Sequence, residues 1–196
     1  MHIIRGEVDN LLLSCAVDDP VIIETMVRDY RAPVYRLALS ILNDTKDAED
    51  AVQDIFVQAA SALSRYQVGT NFKSWLYTIA VNTCRDYMRR RAARANLYRA
   101  WNAIQSFAAR SPDPEDSAIQ NESHVRLWSL VNELNEKQRL VVILRLVHDL
   151  SVSEISQVLE INEKTIYSRL YDAFKNLRQR ITSSPEYEGF WNEFLS

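Results

Sequence analysis

The chain has 196 residues, room for one domain or two small ones, and its 26 acids against 23 lysines and arginines leave a net charge of −3. No apolar run approaches the roughly 18 residues a membrane span needs, and no basic-then-apolar leader opens the sequence, so no membrane insertion is expected. Two cysteines without paired spacing, three glycines and five prolines exclude a disulfide framework and point to an all-α protein in a reducing cytoplasm.

The first helical patterns run from about Val8 to Asp44 and from Asp47 to Ser64. In the second, Ala48, Val52, Ile55, Ala59 and Leu63 form one apolar stripe, while Asp47, Asp50 and Asp54 fall on another face at steps of three and four. Clustered carboxylates suit a metal or acid–base chemistry, but no histidine or cysteine lies near and no Glu-x-x-His pair supports a metal site. No cofactor is expected. An acidic face that docks on a basic partner fits better, with an inert solvated face as the plain alternative.

A third pattern, Asn71 to about Arg94, follows a loop containing Gly69. Phe72, Leu76, Ile79, Ala80 and Thr83 face inward, and Asn82, Arg85 and Arg89 share a polar face that the arginine run extends. Six arginines and one aspartate lie between Arg85 and Arg99, so an acidic total conceals a basic patch. Tyr66, Phe72, Trp75 and Tyr77 stand beside the amide and the cations. Arginine supplies affinity for phosphate, and aromatic rings hold unstacked bases. Phe72 and Trp75 fit core packing equally well.

The stretch "SFAARSPDPEDSAIQNE" has two prolines, four acids and little apolar content, and reads as a linker. Helices resume near Ser123, with Val125, Trp128 and Val131 opening an apolar face. Ser151 with Glu154 makes a capping box before a helix whose apolar face is Val152, Ile155, Val158 and Leu159. Asn162 caps the next helix, which has the stripe Ile166, Leu170, Ala173 and Leu177. Its opposite face carries Lys164, Ser168, Tyr171 and Lys175, flanked by Thr165, Tyr167, Arg169 and Asp172. A short helix, a tight turn and a basic second helix match a helix-turn-helix; the plain alternative is an amphipathic hairpin with a solvated charged face. Glu160 stands in the turn where glycine is common, at the expense of strain if its φ is positive.

Taken together, "DAEDAVQDIF", "FKSWLYTIAVNTCRDYMRR" and "LNEKQRLVVILRLVHDLSVSEISQVLEINEKTIYSRL" resemble, in this order and spacing, an extracytoplasmic-function sigma factor of bacterial RNA polymerase, over roughly residues 8 to 95 and 122 to 182. The resemblance implies a core-binding and promoter-melting domain over 1–95, a linker over 96–122, a helix-turn-helix domain over 123–182 and an unmatched tail over 183–196. Asp47, Asp50, Gln53 and Asp54 would dock on the clamp helices of the polymerase's largest subunit. The loop Tyr66 to Phe72 and the helix bearing Lys73, Trp75, Asn82, Arg85, Arg89 and Arg90 would recognise and open the minus-ten element. Lys164, Thr165, Tyr167, Ser168, Arg169, Tyr171, Asp172 and Lys175 would read the minus-thirty-five element. The linker would thread towards the active centre, and the helix from Val125 to Leu134 would rest with its successor on the flap of the second-largest subunit. An anti-sigma factor is a further partner of such proteins.

Tyr167 and Asp172 depart from the family, where arginines are frequent. Aspartate accepts from the amino group of cytosine but repels phosphate. The tail "SSPEYEGFWNEFLS" is the second departure: Tyr187, Phe190, Trp191, Phe194 and Leu195 line one side, with three glutamates and no cation. It suits a segment that restrains the free protein until polymerase displaces it, simple packing, or a docking site for a regulator. Two other classes compete with the sigma reading. A stand-alone helix-turn-helix regulator would bind duplex DNA tightly by itself, and a helical enzyme would use Asp47, Asp50 and Asp54 on a metal.

Overall fold

The computed structural model describes Val8, Leu11, residues 20–105 and residues 128–182, with the backbone alone for 98–105 and 181–182. Residues 106–127, which hold most of the linker expected over 96–122, and the tail from 183 lie outside the described residues. Every described element is helical: α1 (Pro20–Leu42), α2 (Thr45–Ala62), a 3-10 turn (Leu63–Arg65), α3 (Phe72–Gln105), α4 (Glu136–Val142), a π-helical segment (Ile143–Val147), α5 (Val152–Leu159) and α6 (Glu163–Thr182). Residues 128–132 are also helical. Among the described residues no helix is long and apolar enough to cross a membrane. The chain divides into two compact units, Met1–Ser106 with Ser153–Glu160, and Phe107–Val152 with Ile161–Ser196.

In the first unit α1, α2 and α3 pack pairwise. Pro20 opens α1, where its missing N–H has no intrahelical partner to lose. Asn43 ends it in the left-handed region, φ 51°, which asparagine tolerates better than most side chains. One residue later the Asp44 carboxylate accepts from the Asp47 amide at 2.8 Å and starts α2. The expected stripe Ala48, Val52, Ile55, Ala59 and Leu63 is buried throughout. On α3, Phe72, Leu76, Ala80 and Thr83 are buried with Tyr77, Val81 and Cys84, whereas Ile79 is only half-buried. Burial pushes the Cys84 thiol up to about 12, as befits a small core residue. Helix α3 runs on to Gln105, past the expected boundary at 96. Residues 95–105 contain neither glycine nor proline, and alanine, leucine, arginine and glutamine all favour helix.

In the second unit α6 packs on α4. Asn135 caps α4 by accepting from the Gln138 amide at 3.0 Å. The expected stripe Ile166, Leu170, Ala173 and Leu177 is buried, and Asn176 donates to Gln138 Oε1 at 3.2 Å beside it. Arg180 pairs with Glu133. The Asn162 side chain accepts from the Thr165 amide at 2.8 Å, the expected cap of α6. Glu160, at the end of α5, has φ 54°. A left-handed backbone costs a non-glycine residue roughly 1–2 kcal/mol, against the roughly 0.5–1 kcal/mol that glycine loses in chain entropy. Glu160→Gly is therefore expected to stabilise the protein by up to about 1 kcal/mol in a denaturant titration. A net loss would mean the glutamate side chain compensates its own strain.

Candidate nucleic-acid interface

Two faces of opposite sign lie on neighbouring helices of the first unit. On α2, Asp50, Gln53 and Asp54 are exposed and Asp47 is half-buried. Tyr87 Oη on α3 donates to Asp54 Oδ2 at 2.9 Å, and Arg91 Nη1 lies 3.9 Å from Asp47 Oδ2. Among the described residues no group of three or more histidine, cysteine, aspartate or glutamate side chains is placed to hold a metal ion.

The basic face belongs to α3. Asn82, Arg89 and Arg90 are exposed; Lys73 and Arg85 are half-buried. Lys73 Nζ stands 5.6 Å from the centroid of the Tyr77 ring, and Arg89 pairs with Asp86 on its own helix. Residues 66–71 form the loop before α3. Tyr66 Oη donates to the Thr70 carbonyl at 2.7 Å, and Thr70 Oγ1 donates to that of Gln67 at 2.8 Å. Gly69 takes φ 95°, a conformation a side chain would resist. Asn71 Oδ1 accepts from the Ser74 amide at 3.0 Å and caps α3.

Four rings hold this loop to the core. Phe72 stands 5.5 Å from Tyr30, 5.4 Å from Tyr66 and 5.3 Å from Trp75, and Tyr66 stands 5.1 Å from Trp75. Such tilted and edge-on contacts are favoured by the ring quadrupole. Phe72 is fully buried and Tyr66 is 7 % exposed, so neither presents a face on which a base could stack. In this structure both rings support the loop, the core-packing alternative already open for Phe72. Trp75, like Tyr30, is only half-buried.

On α6, Lys164, Tyr167, Ser168, Tyr171, Asp172 and Lys175 are exposed, while Thr165 and Arg169 are half-buried. Tyr167 and Tyr171, one turn apart, are 59 % and 68 % exposed, unusual for large rings unless something covers them. Thr165 Oγ1 is occupied at the cap, donating to Asn162 Oδ1 at 2.7 Å.

Residues 26–94 match the family model for sigma-70 region 2, and residues 124–177 match that for sigma-70 region 4. The RNA polymerase sigma factor SigV of Bacillus subtilis is 30% identical over 158 residues, covering 81% of this chain and 90% of the relative. The chain belongs to the extracytoplasmic-function sigma factors of the sigma-70 family. The sigma factor SigW of the same organism is 25% identical over 158 residues, with 78% and 84% covered. Two solved structures share the fold. CnrH, in complex with the cytosolic domain of CnrY, superposes with a TM-score of 0.66 at 24% identity, over 91% of this chain and 99% of that one. RpoE of Bartonella quintana, in complex with the anti-sigma factor NepR, gives 0.62 at 22% identity, over 80% and 94%. This sigma factor therefore binds core RNA polymerase and directs it to promoter DNA, and the stand-alone regulator is not favoured.

Sequence reasoning missed Tyr87 and Tyr30. Tyr87 lies four residues after Thr83 on α3, but its partner Asp54 is 33 residues away, and nothing in a helical period announces that pairing.

Proposed function

We propose that the first unit divides its two tasks between adjacent helices. Asp50, Gln53 and Asp54 of α2, with Asp47 at the edge, meet basic clamp helices of the polymerase's largest subunit. Trp75, Asn82, Arg85, Arg89 and Arg90 of α3, with Lys73, take the minus-ten element and hold a flipped non-template base. Residues 1–95 then form the core-binding and melting domain and 123–182 the domain for minus-thirty-five recognition, with the helices from Trp128 onward on the polymerase flap. The observation that carries this reading is the separation of charge: exposed carboxylates on α2 and exposed guanidiniums on α3, each free of a core role. Polymerase supplies the chemistry and the sigma factor supplies recognition, in the cytoplasm where both act.

Photocrosslinking tests the division. A photoreactive residue at Gln53 is expected to capture the largest subunit, and one at Asn82 the non-template strand of the minus-ten element. Capture of DNA from Gln53, or of polymerase alone from Asn82, contradicts it.

Exposure of Lys164, Tyr167, Ser168, Tyr171, Asp172 and Lys175 supports α6 as the element that enters the major groove. Asp172 sits there as an anion among cations. Asp172→Arg is expected to tighten minus-thirty-five binding, change base preference at one or two positions and steepen the salt dependence by roughly one phosphate contact. Unchanged preference and slope would place this side chain outside the groove. The two structural relatives are each held by a protein partner, which supports a protein inhibitor for this sigma factor as well.

A further inference from the structure

Three polar contacts line the seam where α2 meets α3. Thr83 Oγ1 donates to Gln58 Oε1 at 3.3 Å, Tyr87 Oη to Asp54 Oδ2 at 2.9 Å, and Arg91 reaches Asp47 at 3.9 Å. The α3 members are four residues apart and so stand in one file along the helix. The middle contact differs from the others because Tyr87 has a second polar neighbour. The Arg90 guanidinium carbon lies 5.9 Å from the centroid of the Tyr87 ring, within the range of cation–π attraction. One tyrosine thus holds an exposed carboxylate of the acidic face through its hydroxyl and an exposed arginine of the basic face through its ring. Arg89, paired with Asp86 inside α3, does not share this tie.

The tie is compatible with docking. A carboxylate offers about four lone-pair positions, so Asp54 can accept from a partner's cation while still accepting from Tyr87. Burial, the hydrogen bond to Asp54 and the charges of Asp54 and Asp50 push the Tyr87 phenol up to about 12, with Arg90 opposing them. The hydroxyl therefore remains a donor at physiological pH.

We propose that Tyr87 is a positioning residue that couples the two interfaces: polymerase contact at Asp54 fixes the Tyr87 ring and, through it, the place of Arg90 on the promoter strand. The inference rests on the division of faces proposed above. Coupling of this kind is reciprocal, so promoter contact at Arg90 also strengthens the hold of Asp54 on polymerase.

The test is a double-mutant cycle on holoenzyme, measuring promoter affinity at saturating core polymerase. Asp54→Ala, Arg90→Ala and the pair are compared with Tyr87 present and in Tyr87→Phe. With Tyr87 present, the double variant is expected to lose about threefold to tenfold less affinity than the product of the single losses, the usual scale for residues in one network. In Tyr87→Phe the two losses multiply, while the melting temperature of the free protein is unchanged. Losses that multiply with Tyr87 present, or coupling that persists in Tyr87→Phe, overturn the proposal and leave the docking reading standing. A parallel titration in which Asp54→Ala leaves affinity for core polymerase unchanged overturns both.

Discussion

Reversing Asp50 and Asp54 to lysine is expected to abolish binding of this sigma factor to core RNA polymerase and to leave its helix content unchanged. Both side chains are exposed on α2, whose stability comes from the opposite face, where Ala48, Val52, Ile55 and Ala59 are buried. Lysine favours helix at least as well as aspartate, so the substitutions do not threaten α2 itself. The hydrogen bond from Tyr87 to Asp54 is lost, but a surface contact of this kind contributes little to folding. At the interface the balance is different. Truncating or reversing one partner of a desolvated charge pair costs about 2–5 kcal/mol, so two reversals are expected to weaken binding by at least about a thousandfold. Titration of labelled sigma factor against core polymerase measures this directly, with circular dichroism as the control. Unaltered affinity would sink the assignment of α2 as the docking face.

The second large effect belongs to promoter opening. Asn82→Ala is expected to slow open-complex formation on a duplex promoter far more than on a template whose minus-ten region is already unpaired. Extracting a base from the duplex costs a few kcal/mol of unstacking and unpairing, which a pre-melted template does not require. Asn82 is exposed and the nearby Arg85 is half-buried, so the substitution removes an amide that does not serve the core. Trp75→Ala is expected to follow the same pattern with an added loss of stability. Its ring packs 5.1 Å from Tyr66 and 5.3 Å from Phe72, and removing it leaves those two rings less well covered. Equal losses on both templates for Asn82→Ala would mean that this side chain only maintains α3.

The buried stripes of α2 and α6 were legible because a helical period fixes which residues share a face. The cap at Asn162 and the strained turn at Glu160 were legible too, since both are set by residues within three positions of each other. What depends on distant partners was not. Tyr66 and Phe72 stand near cations in the sequence, which suits a base platform, yet Tyr30 from α1 completes a ring cluster that buries them. The extension of α3 to Gln105 was hidden because the arginine run from Arg89 to Arg94 interrupts the apolar stripe, so pattern alone does not carry the helix beyond it. The π-helical segment Ile143–Val147 has no signature in residue type that separates it from continued α-helix.

The measurement that tests the division of labour most directly is transcription from a library of promoters randomised around both the minus-ten and minus-thirty-five elements, using core polymerase and this sigma factor. Wild-type protein is expected to enrich two separated sequence blocks. Asp172→Arg is expected to change the upstream block alone, and Asn82→Ala to weaken selection in the downstream block alone. Enrichment of a single block, or both variants altering the same one, would contradict the assignment of α3 and α6 to separate promoter elements.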